Sequence, residues 1–499
     1  VGTDPLFFVY LGSSVLTFLL AGLTYLLVDR FSRRWIFFLS FEGFAAVILA
    51  LWWLLGHSAA AWPVFAARIL SDVFFVLALL EFWLLTGDYF TNLEGRWRFP
   101  LFVAAGGLGY MLGSVLLEAY AQRFEALNFF LLWGGILGVL PVLLLFLFKP
   151  ASLSPAPPDI SAAEAEPKSS DETPASAVPL LKTLLLFWLA FTFLSCGVDY
   201  FFNTAALNFI PDENQLAAFF GKVAFFSLLA VLFFQLFIAP RLAMAFSVDR
   251  SLLLFCFLLL LGCALVAWDP SLAGVAVSEG LVIYFLDSKA VALLQPVENL
   301  FPDRFRGRAK VALDGFAPSS GDLLLLATAF GLSWTVGLDA LAYVLVGGAA
   351  LFLSFPLLFR RTYLRYLTDC LRARDPKLVL DAVQALGEKD KTPATDALLQ
   401  LLETSSDIYL KRNILITLGR MRSPAALPAV IRHFSIPNEA LQLAVIQALG
   451  HYRNFPGLFA LYELMKSQDN VSFQVRMSAT LLMTRLVGKR MIPLLKEAL

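Results

Sequence analysis

Eleven long apolar runs constrain this chain more than any other feature of its sequence. A helix needs roughly 20 apolar residues to cross the hydrocarbon core of a bilayer. Runs of that size lie at about 6–28, 35–56, 63–87, 99–118, 127–148, 181–210, 215–239, 251–268, 272–297, 311–333 and 337–359. The chain is also 59% hydrophobic, with a mean hydropathy of +0.75, which is far from the composition of a soluble domain. We therefore predict an all-α polytopic membrane bundle.

Two basic stretches, 88–109 and 298–321, resemble each other, and each separates two apolar runs. Their alignment pairs Gly95 with Gly307, Arg96 with Arg308, Arg98 with Lys310, Leu101 with Leu313, Ala105 with Ala317 and Gly109 with Gly321. Any loop between membrane helices can carry Arg beside Gly, but the order of the surrounding runs also agrees. The pattern predicts an internal duplication, as in transporters built from two six-helix halves around a midplane site.

The segment 149–180 separates the two sets of runs. It is acidic, rich in Pro and Ser, and without aromatic residues, so it cannot bury enough apolar area to offset its ordering entropy. We predict a flexible cytoplasmic linker between an N-terminal membrane half at 1–148, with five helices, and a C-terminal membrane half at 181–360, with six. The symmetry then predicts one further helix before Val1.

Residues 361–499 have a different composition, with 19 Lys+Arg against 12 Asp+Glu. The sequences VLDAVQALG, LKRNILITLG and QLAVIQALG end at Gly387, Gly419 and Gly450, which lie 32 and 31 residues apart. This period is typical of helix-pair repeats, and glycine is expected there as a helix stop. The three pieces resemble HEAT repeats, which implies a HEAT-like α-solenoid that binds a protein partner.

Arginine and lysine on the connections predict the orientation of the bundle. Basic residues gather in alternate connections: Arg30, Arg33 and Arg34; Arg96 and Arg98; Arg241 and Arg250; and Arg304, Arg306, Arg308 and Lys310. The other connections are short and almost free of them. We therefore expect these basic connections and the repeat domain to lie in the cytoplasm.

Ionisable residues inside membrane spans are costly and indicate functional sites by default. Arg68 and Asp72 stand four residues apart on one helix and can neutralise each other. Glu279, Asp314 and Asp322, like Lys222 and Asp339, lie close enough to predicted span ends to reach the interface or to pack beside small residues.

The remaining ionisable residues are Asp199 on the run 181–210 and Asp287 and Lys289 on the run 272–297. Asp287 and Lys289 are two residues apart, so they do not share a helix face. We predict either an Asp199–Lys289 pair or a Lys289 that faces an anion; a structural ion pair that locks two helices is the alternative. Gln235 and Arg68 are further candidates for lining a substrate cavity.

The stretch GLTYLLVDRFSRR, from Gly22 to Arg34, resembles the loop signature of the major facilitator superfamily. Asp29, Arg30, Arg33 and Arg34 match that signature, and Ser32 stands where it has glycine. Carboxylate and guanidinium groups at a cytoplasmic helix end can make charge-assisted contacts that hold two helices together. The resemblance implies the superfamily fold and a conformational latch, to which we add Arg96 and Arg308 of the two basic stretches.

A closer resemblance lies in VDYFFNTAALNFIPDENQLAAFFGKVAFF after Cys196 and in EFWLLTGDYF at 81–90. Both are similar to the branch of the superfamily related to the ATP/ADP translocases of plastids and intracellular bacteria, whose bacterial members can carry HEAT repeats. Those proteins use an acidic and a nearby basic residue in their seventh helix, where this chain has Asp199 and Asn203. The resemblance implies a secondary transporter of an anionic metabolite, with a nucleotide as the leading candidate, in a bacterial inner membrane.

Other classes of protein find little support in the sequence. It contains no nucleophile–base arrangement, no phosphate loop and no ligand spacing for a metal, so we predict no enzyme, no cofactor and no metal site. The expected partners are the lipid bilayer, an anionic small molecule and a protein bound by the repeats, with no nucleic acid. The alternative to transport is a membrane anchor whose HEAT domain recruits a protein partner.

Overall fold

The computed structural model describes residues 4–28, 30–57, 62–86, 92–147, 174–210, 212–238, 241, 248–335, 340–373, 376–386, 392–452 and 472–487. The chain divides into two compact units. The first comprises residues 1–167 and 178–360, and the second comprises residues 168–177 and 361–499. They are called the membrane unit and the repeat unit below.

The N-terminal half of the membrane unit is built from four long helices in the described residues. They are α1 (Asp4–Leu27), α2 (Arg33–His57), α3 (Trp62–Thr86) and α4 (Asn92–Leu147). The prediction of separate helices at 99–118 and 127–148, and so of five helices in this half, is corrected here, because α4 is one helix of 56 residues. Residues 114–133 contain neither glycine nor proline, so no residue there breaks the backbone hydrogen bonds.

In the described residues the C-terminal half has eight helices, several of which continue one another through π-helical turns. They are α5 (Ala177–Phe209), α6 (Glu213–Phe233), α7 (Val248–Trp268), α8 (Leu272–Glu279), α9 (Asp287–Glu298), α10 (Asp303–Val311), α11 (Ala317–Thr335) and α12 (Ala340–Phe352). The π-helical turns are Phe234–Ile238 after α6, Gly280–Leu286 between α8 and α9, and Ala312–Phe316 between α10 and α11.

Seven helices in the described residues are long and apolar enough to cross a membrane. They are Phe8–Leu27, Arg33–His57, Trp62–Thr86, Ala177–Phe209, Phe219–Ile238, Arg250–Trp268 and Ala340–Cys370, and shorter apolar helices lie at Leu101–Gly113, Phe130–Leu143 and Leu272–Leu286. With the composition of the chain, these helices make it an integral membrane protein.

Helix α1 forms the seam between the two halves. It packs against α3 of its own half and against α11 and the π-helical turn Ala312–Phe316 of the other. A methyl group on Gly315 would lie 2.7 Å from the Cβ of Ala21, so the glycine permits this close approach. One apolar cluster accordingly joins Ala21 on α1 and Leu80 on α3 to Val311 at the end of α10.

The repeat unit is a series of short helices. Helix α13 (Phe355–Cys370) leads into it, and α14 (Pro376–Leu386), α15 (Thr392–Thr404), α16 (Ile408–Met421), α17 (Leu427–Arg432), α18 (Glu439–Tyr452) and α19 (Phe473–Val487) follow. Neighbouring repeats pack through α14, α16, α18 and α19 in that order. This arrangement is the α-solenoid that the period of the sequence predicted.

The glycines of the repeats have a different role from the predicted helix stop. Helices α16 and α18 run past Gly419 and Gly450, and Arg422, with a φ of 51°, is the left-handed residue that ends α16. A methyl group on Gly419 would lie 2.4 Å from the Cα of Ala448, so the glycine lets successive repeats touch. Gly387 lies outside the described residues.

Tyr452 ties the end of α18 to the preceding repeat. Its hydroxyl donates to the main-chain oxygens of Leu418 and Ser423, at 3.3 and 3.0 Å. Burial raises the pKa of Tyr452 to about 12. The hydroxyl therefore remains a donor at neutral pH, and both helix-end carbonyls keep their partner.

Candidate functional site

Polar contacts join α1 to the C-terminal half near the start of α1. The hydroxyl of Tyr10 donates to the carboxylate Oδ2 of Asp199 on α5, and the amide Nδ2 of Asn203 donates to the Tyr10 oxygen at 3.0 Å. Asp199 and Asn203 are four residues apart and therefore share one face of α5. Tyr10 thus bridges the two halves through a pair of residues on a single helix.

One turn further along α1, Ser14 makes a second polar contact, with another helix of the C-terminal half. Ser14 is 4% exposed, and its hydroxyl lies 3.5 Å from Oδ2 of Asp322 on α11. The thiol of Cys196, on α5, interacts with the same carboxylate. Tyr10 and Ser14 share a face of α1 because they are four residues apart, so this face carries the polar contacts with α5 and α11.

Helix α3 brings an ion pair to the same region. Arg68 Nη1 lies 2.9 Å from Oδ1 of Asp72, as the spacing of four residues predicted. The side chain of Arg68 is 62% exposed and that of Asp72 is 31% exposed. Both groups also act electrostatically on Asp199. Arg68 is therefore a partly exposed cation close enough to the polar cluster to act on the charge of Asp199.

Glu279 is the most deeply buried carboxylate near Asp199. It ends α8 immediately before the π-helical turn Gly280–Leu286, and it is 3% exposed. The charges of Glu279 and Asp199 interact. We name Tyr10, Ser14, Arg68, Asp72, Asp199, Asn203, Glu279 and Asp322 the Tyr10 cluster.

The sequence left two alternatives for Glu279 and Asp322, which were a reach to the interface and packing beside small residues. In the structure Glu279 is 3% exposed, and Asp322, which follows Gly321, lies 3.5 Å from the Ser14 hydroxyl of α1, so the second alternative describes them better. Their position inside spans was the signal that identified them as candidates. Tyr10 and Ser14 carried no such signal, because an uncharged polar residue is common in a membrane helix.

The structure describes the other predicted site residues only in part. The side chains of Asp287 and Lys289 lie outside the described residues, so the Asp199–Lys289 pair stays a prediction. Gln235 is 1% exposed in the π-helical turn after α6, and its place in the site also stays a prediction.

A second group of contacts joins the halves at the other end of α1. Lys310, on α10, is 1% exposed, and its Nζ donates to the main-chain oxygen of Trp83 at 2.6 Å and to Oε1 of Gln295 at 2.7 Å. Nε2 of Gln295 lies 3.4 Å from Oδ2 of Asp314, and Glu298 accepts from Nε1 of Trp188 at 3.2 Å. Lys310 therefore connects the end of α3 to a buried polar group in the C-terminal half.

Of the predicted latch residues, Arg33 acts electrostatically on Lys310 and Arg308 lies against α1, and their role as a latch stays a prediction. The guanidinium carbon of Arg308 is 5.6 Å from the centre of the Tyr25 ring on α1. A methyl group on Gly307 would lie 3.1 Å from Val28 and 3.5 Å from Nη2 of Arg33. Arg30 is exposed and Arg34 is half-buried, whereas Asp29 and the side chain of Arg96 lie outside the described residues.

Lys310 itself was aligned with Arg98 but not singled out as a latch residue. Gln295 precedes Lys310 by 15 residues, and Trp83 precedes Arg98 by the same interval. The two acceptors of Lys310 are therefore corresponding positions of the two halves.

The fold defined by these helices occurs in a solved structure. The chain is similar to the crystal structure of the human organic anion transporter MFSD10 (TETRAN), at 20% identity and a TM-score of 0.53, covering 71% of this chain and 84% of that one. A family model for HEAT repeats matches residues 364–450 and 395–484. No curated protein matches the sequence.

These comparisons confirm the predicted fold class. The chain is a polytopic helical membrane protein of the major facilitator fold, followed by an α-solenoid of HEAT repeats.

Proposed function

We propose that the chain is a secondary transporter that works by alternating access. The observation that supports this most directly is the pair of connections between halves at the two ends of α1, with Tyr10 bound to Asp199 near one end and Val28 beside Gly307 near the other. At 1.5 Å per residue, Tyr10 and Val28 are about 27 Å apart, close to the thickness of the hydrocarbon core. An alternating cycle needs two such closures, one of which breaks while the other holds.

We propose an anionic metabolite as the substrate. Arg68 is a partly exposed cation at the Tyr10 cluster, and a guanidinium can bind carboxylate or phosphate groups through two parallel hydrogen bonds. The similar human protein is described as an organic anion transporter. The resemblance to the ATP/ADP translocases makes a nucleotide the leading candidate within this class. Lys289 is then the second anion-facing cation, with Asp287 and Gln235 lining the same path.

Uptake by liposomes that contain the full chain tests this proposal. Labelled ATP, ADP, inorganic phosphate and small organic anions are the probes, and we expect uptake of at least one to depend on Lys289. Lys289→Ala and Asp287→Asn should differ in effect, because residues two positions apart do not share a helix face and the two substitutions remove opposite charges. Lys222→Ala on α6 is the control, since it removes an exposed cation from outside the cluster. Unchanged uptake and affinity in Lys289→Ala would exclude that residue from the site.

We also propose that the HEAT domain binds a regulatory protein partner in the cytoplasm of a bacterial cell, with the membrane unit in the inner membrane. Cytoplasmic placement follows from the basic residues on alternate connections. Among the described residues, α19 exposes Phe473, Met477 and Leu481 at intervals of four, with exposures of 72%, 51% and 63%. Such a stripe of apolar side chains is typical of a contact surface.

The alternative function, a membrane anchor without transport, rests on this same domain. Cross-linking of the full chain in its native membrane, followed by purification, compares Met477→Glu with the neighbouring control Gln474→Glu. A partner that is lost only with Met477→Glu, together with no uptake of any probe anion, would support the anchor. Recovery of no protein above background would count against any scaffold role.

A further inference from the structure

Helix α19 presents its exposed apolar stripe directly away from the face that holds it in the repeat unit. The stripe consists of Phe473, Met477 and Leu481, and the buried face consists of Val475, Ala479 and Met483. Met477 and Ala479 are the centres of the two faces, and their spacing of two residues places them about 160° apart around the helix. Packing within the repeat unit therefore leaves the stripe exposed.

Matching N-caps fix the register between α19 and the preceding helix α18. Ser472 Oγ accepts a hydrogen bond from the N–H of Val475 at 3.3 Å. Asn438 Oδ1 accepts one from the N–H of Leu441 at 3.2 Å, so each cap binds the third N–H of its helix. The Ser472 hydroxyl also donates to the Glu439 carboxylate at 3.0 Å, so the two helices begin side by side. The two caps are 34 residues apart along the chain.

The stripe has polar counterparts in α18. The offset of 34 residues pairs it with Glu439, Leu443 and Gln447. Glu439 and Gln447 are exposed, as is usual for polar residues on the solvent face of a helix. The same fold therefore accepts polar residues at two of the three positions. Apolar residues at all three positions of α19 indicate a contact beyond the repeat unit.

Basic residues accompany the stripe. Arg485 is exposed and follows Leu481 by four residues, so it extends the stripe by one turn. Helix α19 also carries Arg476, and its sequence has neither Asp nor Glu. Over the segment 472–499 the sequence has five Lys+Arg against one Asp+Glu. An anionic surface therefore complements this helix in charge.

The bilayer is the anionic surface to which α19 is tethered. The candidate span Ala340–Cys370 leads along the chain directly into the repeats. A tethered surface acts at a high effective concentration, which a free partner lacks. Helices that lie on membranes combine exposed apolar side chains such as Phe and Leu with Lys or Arg, and both features favour binding to anionic lipid. Helix α19 has both features.

We propose that α19 lies on the surface of the surrounding bilayer, with Phe473, Met477 and Leu481 inserted among anionic lipid headgroups and Arg485 paired with a lipid phosphate. The inference requires the chain to lie in a membrane, but it requires no transport activity. A protein partner that uses the same stripe has to displace the lipid. Lipid therefore covers the stripe while the partner is absent.

Quenching of a fluorescent label by spin-labelled lipid tests this contact in the full chain. The four native cysteines are replaced by alanine, and Met477→Cys supplies the site for a nitrobenzoxadiazole label. Single chains are placed in nanodiscs of phosphatidylcholine alone, or of equal amounts of phosphatidylcholine and phosphatidylglycerol. Added lipid with a doxyl group near its headgroup is the quencher. Gln400→Cys, at an exposed position of α15 in an earlier repeat, is the matched control.

We expect strong quenching at position 477 with phosphatidylglycerol, weaker quenching with phosphatidylcholine alone, and none at position 400. Arg485→Gln should lower the ratio of quenched to unquenched label about fivefold, the usual contribution of one basic residue at an anionic surface. Phe473→Glu combined with Leu481→Gln gives α19 the residues of α18, so the quenching should disappear while the chain stays folded. If this double variant does not fold, Arg485→Gln still provides the test.

Equal quenching at positions 477 and 400, or none at position 477, would overturn the proposal. Quenching at position 477 that is independent of phosphatidylglycerol and of Arg485 would overturn the assignment to anionic lipid. A label at position 477 that is shielded from iodide in water but not quenched by lipid would show that protein covers the stripe, which also overturns the proposal. Uptake measured on the same variants is a separate result, because the lipid contact requires no transport.

Discussion

Lys310 Nζ lies 2.6 Å from the main-chain oxygen of Trp83, and this hydrogen bond joins α10 of one half to the end of α3 of the other. The acceptor belongs to the backbone, so no substitution of Trp83 removes it. The ammonium group is also 1% exposed and acts on the charges of Glu298 and Asp314. One lysine therefore both fastens the halves together and compensates two buried carboxyl groups.

Replacement of Lys310 by Met should destabilise the membrane unit by about 3–5 kcal/mol, the usual cost of leaving a buried charge without its partner. Chemical unfolding in detergent would measure the loss. Lys182→Met is the control, because Lys182 on α5 is exposed and its loss should cost under about 0.5 kcal/mol. The double variant with Glu298→Gln should lose less than the sum of the two single changes. A loss below about 1 kcal/mol in Lys310→Met would contradict the assigned role.

Gly321→Ala and Gly109→Ala should have opposite effects although the two positions are aligned in sequence. A methyl group on Gly321 would lie 2.7 Å from the main-chain oxygen of Leu189 and 2.9 Å from Thr192, whereas Gly109 has nothing within 4 Å. We expect Gly321→Ala to cost about 1–3 kcal/mol through overpacking. Gly109→Ala should be neutral or stabilise by up to about 1 kcal/mol through helix propensity. Thermal unfolding of both variants measures the two changes in stability. Equal changes would argue against close packing at Gly321.

Asp72→Asn and Arg68→Ala should change anion affinity in opposite directions. The carboxylate Oδ1 of Asp72 lies 2.9 Å from Nη1 of Arg68 and forms an ion pair with it. Replacement of Asp72 by the neutral Asn frees the guanidinium for a substrate anion, so KM should fall. Arg68→Ala removes a charged hydrogen bond worth about 1.5–3 kcal/mol and should raise KM by tenfold or more. Uptake at graded concentrations of the transported anion provides the measurement. If both variants shift KM the same way, the pair has a structural role instead.

Gly419→Ala should destabilise the repeat unit more than Gly450→Ala. The added methyl group at Gly419 meets the backbone of Ala448 at 2.4 Å, whereas at Gly450 it meets the end of the Leu482 side chain at 2.8 Å, which can move aside. We expect a loss of about 2–4 kcal/mol for the first and about 1 kcal/mol for the second. Limited proteolysis of the full chain should show faster cleavage in Gly419→Ala. The reverse order of cleavage rates would indicate that Ala448 yields more easily than Leu482.

The sequence predicts the architecture well because long apolar runs, basic connections and a repeat of about 31 residues are local signals. The continuity of α4 was harder to foresee, since the charged stretch around Arg123 interrupts the apolar pattern without interrupting the helix. The sequence singled out Asp199 and Arg68 because ionisable residues inside spans are costly, and their part in a substrate site stays a prediction. Tyr10 and Ser14 were missed because only packing reveals that their face of α1 meets α5 and α11.

The π-helical turn Ala312–Phe316 lies between Lys310 and Gly321, and it takes about one residue more than an α-helical turn does. Residues beyond it are therefore rotated by roughly 100° about the helix axis, relative to an uninterrupted helix. From Asn92 to Gly109 the aligned stretch of the first half is α-helical throughout, and Gly109 has no close neighbour of the kind that Gly321 meets. Two stretches of matching sequence and equal length can thus present their residues in different directions, because one π-helical turn changes the rotation of every residue that follows it.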